Sequence, residues 1–265
     1  MSGPVSRIAR SLRHPSGDPM ADDHPVYELR QYKIVKGERD RFMRLFDAAF
    51  VDSQEAVGMR LYGQFADLDD PDRFVWIRGF DDMAGRERTL NEFYFGPVWQ
   101  AHRDEANPLL VDNDNVLLLR SPGVRTPPAR IDAARASGLF ERGATPGLVV
   151  LHLCTLWKDP ADPEDGFARF FEQEVAPVIE AAGLPVIGSF VPERSPNNFP
   201  RLPVREGEKV FVWMTRAADA DDWAIRWSAC RHSPAWRAIE PRWRDAQERS
   251  PQILRLRPGV ASGPR

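Results

Sequence analysis

The sequence predicts an α+β fold built from two tandem βαββαβ units of ferredoxin-like topology. Two observations predict it: short motifs recur in the same order more than 100 residues apart, and in each copy the apolar pattern runs strand, helix, strand, strand, helix, strand. Tyr62-Gly63-Gln64-Phe65 resembles Ile187-Gly188-Ser189-Phe190, and Phe74-Val75-Trp76 recurs unchanged as Phe211-Val212-Trp213. Gly96-Pro97-Val98-Trp99 matches Ser233-Pro234-Ala235-Trp236, and Val116 to Arg120 matches Ile253 to Arg257. Gly188 follows Gly63 by 125 residues, whereas Phe211 follows Phe74 and Trp236 follows Trp99 by 137, so the second copy carries an insertion of 12 residues between these landmarks. Holding Pro192, Pro196, Pro200 and Pro203, that insertion reads as a loop. Solenoid periods run roughly 20 to 50 residues, so a repeat this long is a duplicated domain.

In the first copy, Val26 to Ile34 alternates and is rich in Tyr, Val and Ile, as a strand should be, and Lys36-Gly37 ends it. Phe42, Leu45, Phe46, Ala49 and Phe50 then form one apolar helical stripe. Met59 to Phe65 and Phe74 to Phe80 read as a hairpin around Asp69-Asp70-Pro71-Asp72. Asp81 and Asp82 are suitable caps for a helix to about Tyr94, Gly96-Pro97 breaks and restarts it, and the restart stops near Asn107-Pro108. Val116 to Arg120 closes the unit. The second copy repeats this order: strand Gly147 to Trp157, helix Asp165 to Ala182, strands Val186 to Val191 and Val210 to Thr215, helices through Trp223 to Trp243, and strand Ile253 to Leu256. Residues 1–24 read as a tail without ordered structure, 25–120 as the first repeat, 121–146 as a linker with one short helix near 131–140, 147–258 as the second repeat and 259–265 as a tail. Such a unit puts both helices on one face of its sheet. The bare faces are expected to cover one another as an internal pseudo-dimer enclosing a cavity between the sheets.

Composition narrows the function classes. The 36 Lys and Arg against 39 Asp and Glu leave a net charge of −3, so no basic surplus points to nucleic acid. No apolar run reaches transmembrane length. Two cysteines, Cys154 and Cys230, form no disulfide framework, and a reducing, cytoplasmic location is the simpler expectation. The tail carries Arg7, Arg10 and Arg13, which raises a targeting segment as an alternative to a misplaced start at Met20.

Strand alternation assigns the candidate site. If the helices take the face of Met59, Leu61 and Phe65, the sets holding Arg30, Tyr32, Arg60, Tyr62 and Gln64 are left for the space between the sheets. Guanidinium and aromatic groups there would hold an anionic or carbonyl-bearing small molecule, with Trp76 and Arg103 nearby; alternatively the arginines pair with Glu28 and other carboxylates in a wet interface. His102, on the short helix after Pro97, is the candidate acid or base, set against the reading of a structural histidine. Its counterpart in the second copy is Ile239 and that of Arg103 is Glu240, so any chemistry belongs to the first copy. His152 and Cys154 share a strand face, but no further ligands at recognisable spacing follow, so no metal is expected. Phosphate-loop, nucleophile-elbow and dinucleotide motifs are absent from the sequence, and no cofactor is expected. Trp76, Trp99, Trp213 and Trp236 are first of all core aromatics.

Tyr27-Glu28-Leu29-Arg30 with Tyr32, Gly63-Gln64-Phe65, Phe74-Val75-Trp76 with Arg78-Gly79-Phe80, Phe93-Tyr94 before Gly96-Pro97-Val98-Trp99, and His102-Arg103 through Asn107, Asp112 and Asn115 resemble the NIPSNAP family. The resemblance covers about Val26 to Arg120; the second copy departs from it and keeps neither His102, Asn107 nor Asp112. It implies an intramolecular dimeric α+β barrel. It implies little chemistry, because members of that family are described both as interaction proteins and as bacterial proteins without an assigned role. Related barrels include cofactor-free monooxygenases, haem-binding enzymes, isomerases and cyclases, and fold kinship fixes no reaction. Two expectations follow: a small-molecule-binding protein or enzyme acting on an aromatic, quinone or carbonyl compound in the barrel cavity, or a non-catalytic adaptor using the barrel as scaffold. Homo-oligomerisation stays open.

Overall fold

The computed structural model describes residues 24–122, 147–162 and 166–259. The first half runs β1 (Val26–Ile34), α1 (Arg39–Leu45), a π-helical turn (Phe46–Phe50), α2 (Val51–Ala56), β2 (Arg60–Asp67), β3 (Arg73–Phe80), α3 (Met83–Phe95), α4 (Pro97–Ala106), a short β4 (Leu110–Asp112) and β5 (Val116–Arg120). The second runs β6 (Leu148–Thr155), α5 (Phe167–Phe170), a second π-helical turn (Phe171–Val175), α6 (Ala176–Ala181), β7 (Val186–Pro192), β8 (Val210–Ala217), α7 (Ala220–His232), α8 (Pro234–Asp245) and β9 (Gln252–Pro258). The expected caps are in place: Asp82 Oδ1 accepts from the Gly85 N–H at 2.6 Å, and Ser233 Oγ accepts from the Trp236 N–H at 3.0 Å. Most of the expected N-terminal tail and linker, including the helix near 131–140, lies outside the described residues. His24, expected in the tail, is described and has its Nε2 2.6 Å from Glu193 Oε2.

All pairings between these strands are antiparallel, with strand order β2-β3-β1-β5 in the first half and β7-β8-β6-β9 in the second. The halves meet edge to edge. β2 pairs with β9 from Phe65↔Pro258 to Asp67↔Leu256, and β5 pairs with β7 at Leu119↔Pro192 and Arg120↔Val191, closing an eight-stranded barrel with β4 added beside β1. Beyond the first seam, Arg255 Nε donates to Asp69 Oδ2 at 2.9 Å and the Gly259 N–H to the Gln64 carbonyl at 2.7 Å.

This closure corrects the expected location of the cavity. The space between the sheets is filled by Tyr27, Leu29, Tyr62, Phe65, Val75, Ile77, Leu117, Leu119 and their partners from the second half, including Val149, Leu151, Phe190, Val212, Met214 and Leu254. An eight-stranded barrel is just wide enough for side chains to fill. The helices pack outside, over Tyr32, Phe74, Trp76 and Phe80 in the first half and over Val150, Cys154, Phe211 and Trp213 in the second. Both sheet faces are therefore buried, and Glu28, Arg30 and Tyr32 lie under the helices, not between the sheets.

Candidate functional site

Beneath the first-half helices lies a fully buried ionic cluster. Glu28 and Arg30 are next-but-one neighbours on β1, Glu28 stands opposite Arg78 on β3, and Arg86 comes down from α3; none of the four side chains has any exposed surface. Glu28 Oε2 accepts from Arg30 Nη1 and Arg78 Nε, both at 2.7 Å, and Oε1 accepts from Arg86 Nε at 2.8 Å. Burial by itself would push the Glu28 carboxyl up, but the positive charges of Arg78, Arg86 and Arg30 outweigh it and hold the group well below the usual carboxylate range. Deleting one partner of such a buried set costs about 3–5 kcal/mol, because the remaining charge is stranded. The proline-bearing insertion of the second half roofs the cluster. Arg86 Nη1 donates to Asn197 Oδ1 at 3.0 Å and Asn198 Oδ1 at 2.6 Å, Asn198 Nδ2 donates to the Met83 carbonyl at 2.6 Å, and Phe199 stacks on Tyr94 with ring centroids 5.8 Å apart.

Beside the cluster is a cavity of about 190 Å³. Its walls are rings: Phe42, Phe46 and Phe50 from α1 and the π-helical turn, Tyr32 and Trp76 from the sheet, Phe93 and Tyr94 from α3, and Trp99 from α4. Ala106, Asn107, Leu110 and Asn113 complete one side, and Arg201 and Leu202 of the insertion another. The π-helical turn lets Phe42, Phe46 and Phe50, spaced four apart, all stay buried, since its wider turn slows the drift of such a stripe around the axis; turns of this kind recur at functional sites. Gln54, also on the wall, is spent: its Nε2 donates to the Phe50 carbonyl and its Oε1 accepts from Arg78 Nη1, both at 3.0 Å.

In the second half the same space is occupied. Trp243 falls at the position of Ala106, and its indole lies 5.1 Å from Phe167, 6.4 Å from Phe171, 6.2 Å from Trp213 and 5.7 Å from Trp236, centroid to centroid. Those four rings correspond to Phe42, Phe46, Trp76 and Trp99, four walls of the first-half cavity. The ionic cluster is gone too. Register places His152 opposite Trp213 as Arg30 stands opposite Trp76, so Val150, His152, Thr215 and Trp223 replace Glu28, Arg30, Arg78 and Arg86.

Residues 27–122 match the NIPSNAP family model. The NIPSNAP region thus coincides with the half that holds the cavity and the ionic cluster. A search of curated proteins finds no match. Among solved structures, a protein of Lactobacillus acidophilus NCFM provisionally named a monooxygenase is 15% identical with a TM-score of 0.54, covering 88% of this chain and 94% of that one. A second, similarly named protein from Fusobacterium nucleatum is 9% identical with a TM-score of 0.52, covering 89% and 93%. An uncharacterized NIPSNAP-like domain protein from Burkholderia xenovorans is 27% identical over 40% of this chain and 91% of its own, with a TM-score of 0.36. The first two likenesses establish the shared barrel fold and, at that identity, nothing finer.

Within the NIPSNAP region the structure gathers only some of the residues singled out from the sequence. Arg30, Tyr32 and Trp76 meet: Arg30 Nε donates to Tyr32 Oη at 2.8 Å, and the Arg30 Cζ lies 5.6 Å from the Trp76 ring. Tyr62 is inside the barrel with its ring 5.4 Å from Tyr27. Arg60 pairs with Asp81 at the barrel rim, Gln64 lies at the β2–β9 seam, and Arg103 reaches Asp104 at 3.5 Å on the exposed side of α4. His102 sets its ring 6.1 Å from Phe50 and is not on the cavity wall. Among the described residues no group of three or more His, Cys, Asp or Glu side chains converges as a metal site would. The sequence reading offered the pairing of Arg30 with Glu28 as its alternative, and that pairing forms; it missed Arg78, Arg86 and Ala106, and read the insertion only as a loop. The signal was present: comparing the copies position by position, as was done for His102, shows all four charges lost in the second.

Proposed function

We propose that the NIPSNAP half binds a small aromatic, quinone or carbonyl compound in the cavity beside Tyr32 and Trp76, and acts on it by cofactor-independent acid–base or oxygenase-type chemistry. The observation that carries this reading is the contrast between Ala106 and Trp243: the two halves share four ring walls, and one keeps the space between them open beside a buried charge cluster. An engineered cavity of 150 Å³ takes up benzene, so about 190 Å³ suits one ring with substituents. Tyr32 is the proton-transfer group on the wall itself, and His102 enters only as a group at the mouth, beside Phe50. The adaptor reading would rest on exposed apolar residues such as Phe95 and Ile225, which lie on helices of different halves.

Filling the cavity tests the proposal. Ala106→Trp is expected to leave thermal stability near the wild-type value while removing binding of aromatic and quinone compounds followed by ligand-observed NMR. Undiminished binding in that variant would sink the reading. Turnover unchanged in His102→Ala would remove His102 from the chemistry.

A further inference from the structure

Resting on the reading of the cavity as a ligand site, we infer that its ligand is an anion: a planar aromatic carboxylate or enolate whose charged oxygens meet Trp76 and Tyr32 on the wall, against which the Arg30 guanidinium packs. The first ground is charge. Arginine stays protonated in proteins, so Arg30, Arg78 and Arg86 bring three positive charges into a space where, among the described side chains, Glu28 supplies the one negative. Neutral acceptors quiet two of them, Gln54 for Arg78 and Asn197 with Asn198 for Arg86, and the Nη2 atoms of both also lie 2.7 Å from Glu28. Arg30 differs. Its Nη1 goes to Glu28 and its Nε to Tyr32; all three buried Nη2 atoms lack a hydrogen-bond acceptor, but only those of Arg78 and Arg86 lie 2.7 Å from Glu28.

The second ground is the kind of polar group left over. Trp76 stands opposite Arg30 in the β1–β3 register, lines the cavity, and has a buried indole Nε1–H without an acceptor. Tyr32 accepts from Arg30, which leaves its own hydroxyl hydrogen to be given elsewhere. The Arg30 Cζ lies 5.4 Å from the Tyr32 ring and 5.6 Å from the Trp76 ring, so these donors sit together. Buried donors are nearly always satisfied. Surplus donors beside surplus positive charge select oxygens that accept and carry negative charge, where charge-assisted bonds are roughly twice as strong as neutral ones. The other half supplies the control: where Trp243 fills the space, the arginines are absent and His152 stands in Arg30's place. Void and cation surplus occur together or not at all.

Benzoate and its uncharged isostere benzamide, titrated into the full-length protein by isothermal calorimetry or ligand-observed NMR, test the inference. Benzoate is expected to bind about tenfold or more tightly than benzamide, the preference is expected to collapse in Arg30→Lys and Trp76→Phe, and Ala106→Trp is expected to lose both ligands. Benzamide binding as well as benzoate at a site that Ala106→Trp closes would overturn the anion inference and leave the cavity reading standing. Binding that Ala106→Trp does not touch, or no binding of either compound, would overturn both.

Discussion

His152 and Arg30 hold the same place in the two halves, and the environment of each decides its chemistry. His152 is fully buried and stacks on Trp213 with ring centroids 3.9 Å apart, and burial pushes its pKa down to about 3. An unfolded histidine titrates near 6.5, so between these values the unfolded chain binds a proton that the folded chain refuses, and stability falls as pH drops. Glu28 works lower: its depressed carboxyl pKa gives stability that is whole above the unfolded value of 4.5 and is lost as pH falls beneath it. The two contributions therefore separate. Between about pH 7 and about pH 5 the wild type is expected to lose about 2 kcal/mol more stability than His152→Phe in urea titrations, and parallel losses would contradict the assignment. Burial also pushes the Cys154 thiol up to about 12, so at neutral pH it is a protonated, buried thiol. The sequence could pair His152 with Cys154 on one face, but not see that this face lies under Trp223 and Trp227, 6.3 and 5.4 Å from the imidazole.

At the scale of the element, strand alternation misplaced Phe65, which it put with Met59 and Leu61 on the helix face. The β2 register slips between Leu61 and Gln64, where Gly63 takes φ +123°, so Leu61 faces the helices while Tyr62 and Phe65, three apart, both face the interior. A bulge of this kind resets parity, and nothing in the hydrophobic pattern announces it. The same slip recurs in β7 between Val186 and Gly188, with Ile187 and Phe190 inside, so the repeated Gly was the available hint. In Gly63→Ala the new Cβ would overlap the Phe65 Cζ and come within 2.8 Å of its Cε2, at a backbone angle that L residues rarely adopt. That substitution is expected to cost about 2 kcal/mol or more in chemical denaturation. A change near zero would mean that the bulge relaxes freely. The helices were more legible, because capping residues and a Gly-Pro break act locally.

At the scale of the molecule, the order of strands and helices along each half could be read directly, whereas the mode of joining could not. Hydrophobicity says that a face must be covered, but edge-to-edge closure depends on backbone hydrogen bonds along β2, β5, β7 and β9, which no side-chain pattern encodes. A fragment of residues 24–122 leaves both seam edges and half of the barrel lining without partners. It is expected to elute as a dimer in size-exclusion chromatography with light scattering, its β2 and β5 edges pairing with a second copy. A well-folded monomer would show that the seams are dispensable.

The insertion that carries Asn197, Asn198, Arg201 and Leu202 belongs to the half that closed its own space with Trp243, yet it helps to enclose the opening of the other half. The second half thus forms the ceiling of a chamber that it does not have itself. If the cavity takes a ligand as proposed, substitutions at 197–202 are expected to alter which ligand it takes, although those positions lie outside residues 27–122.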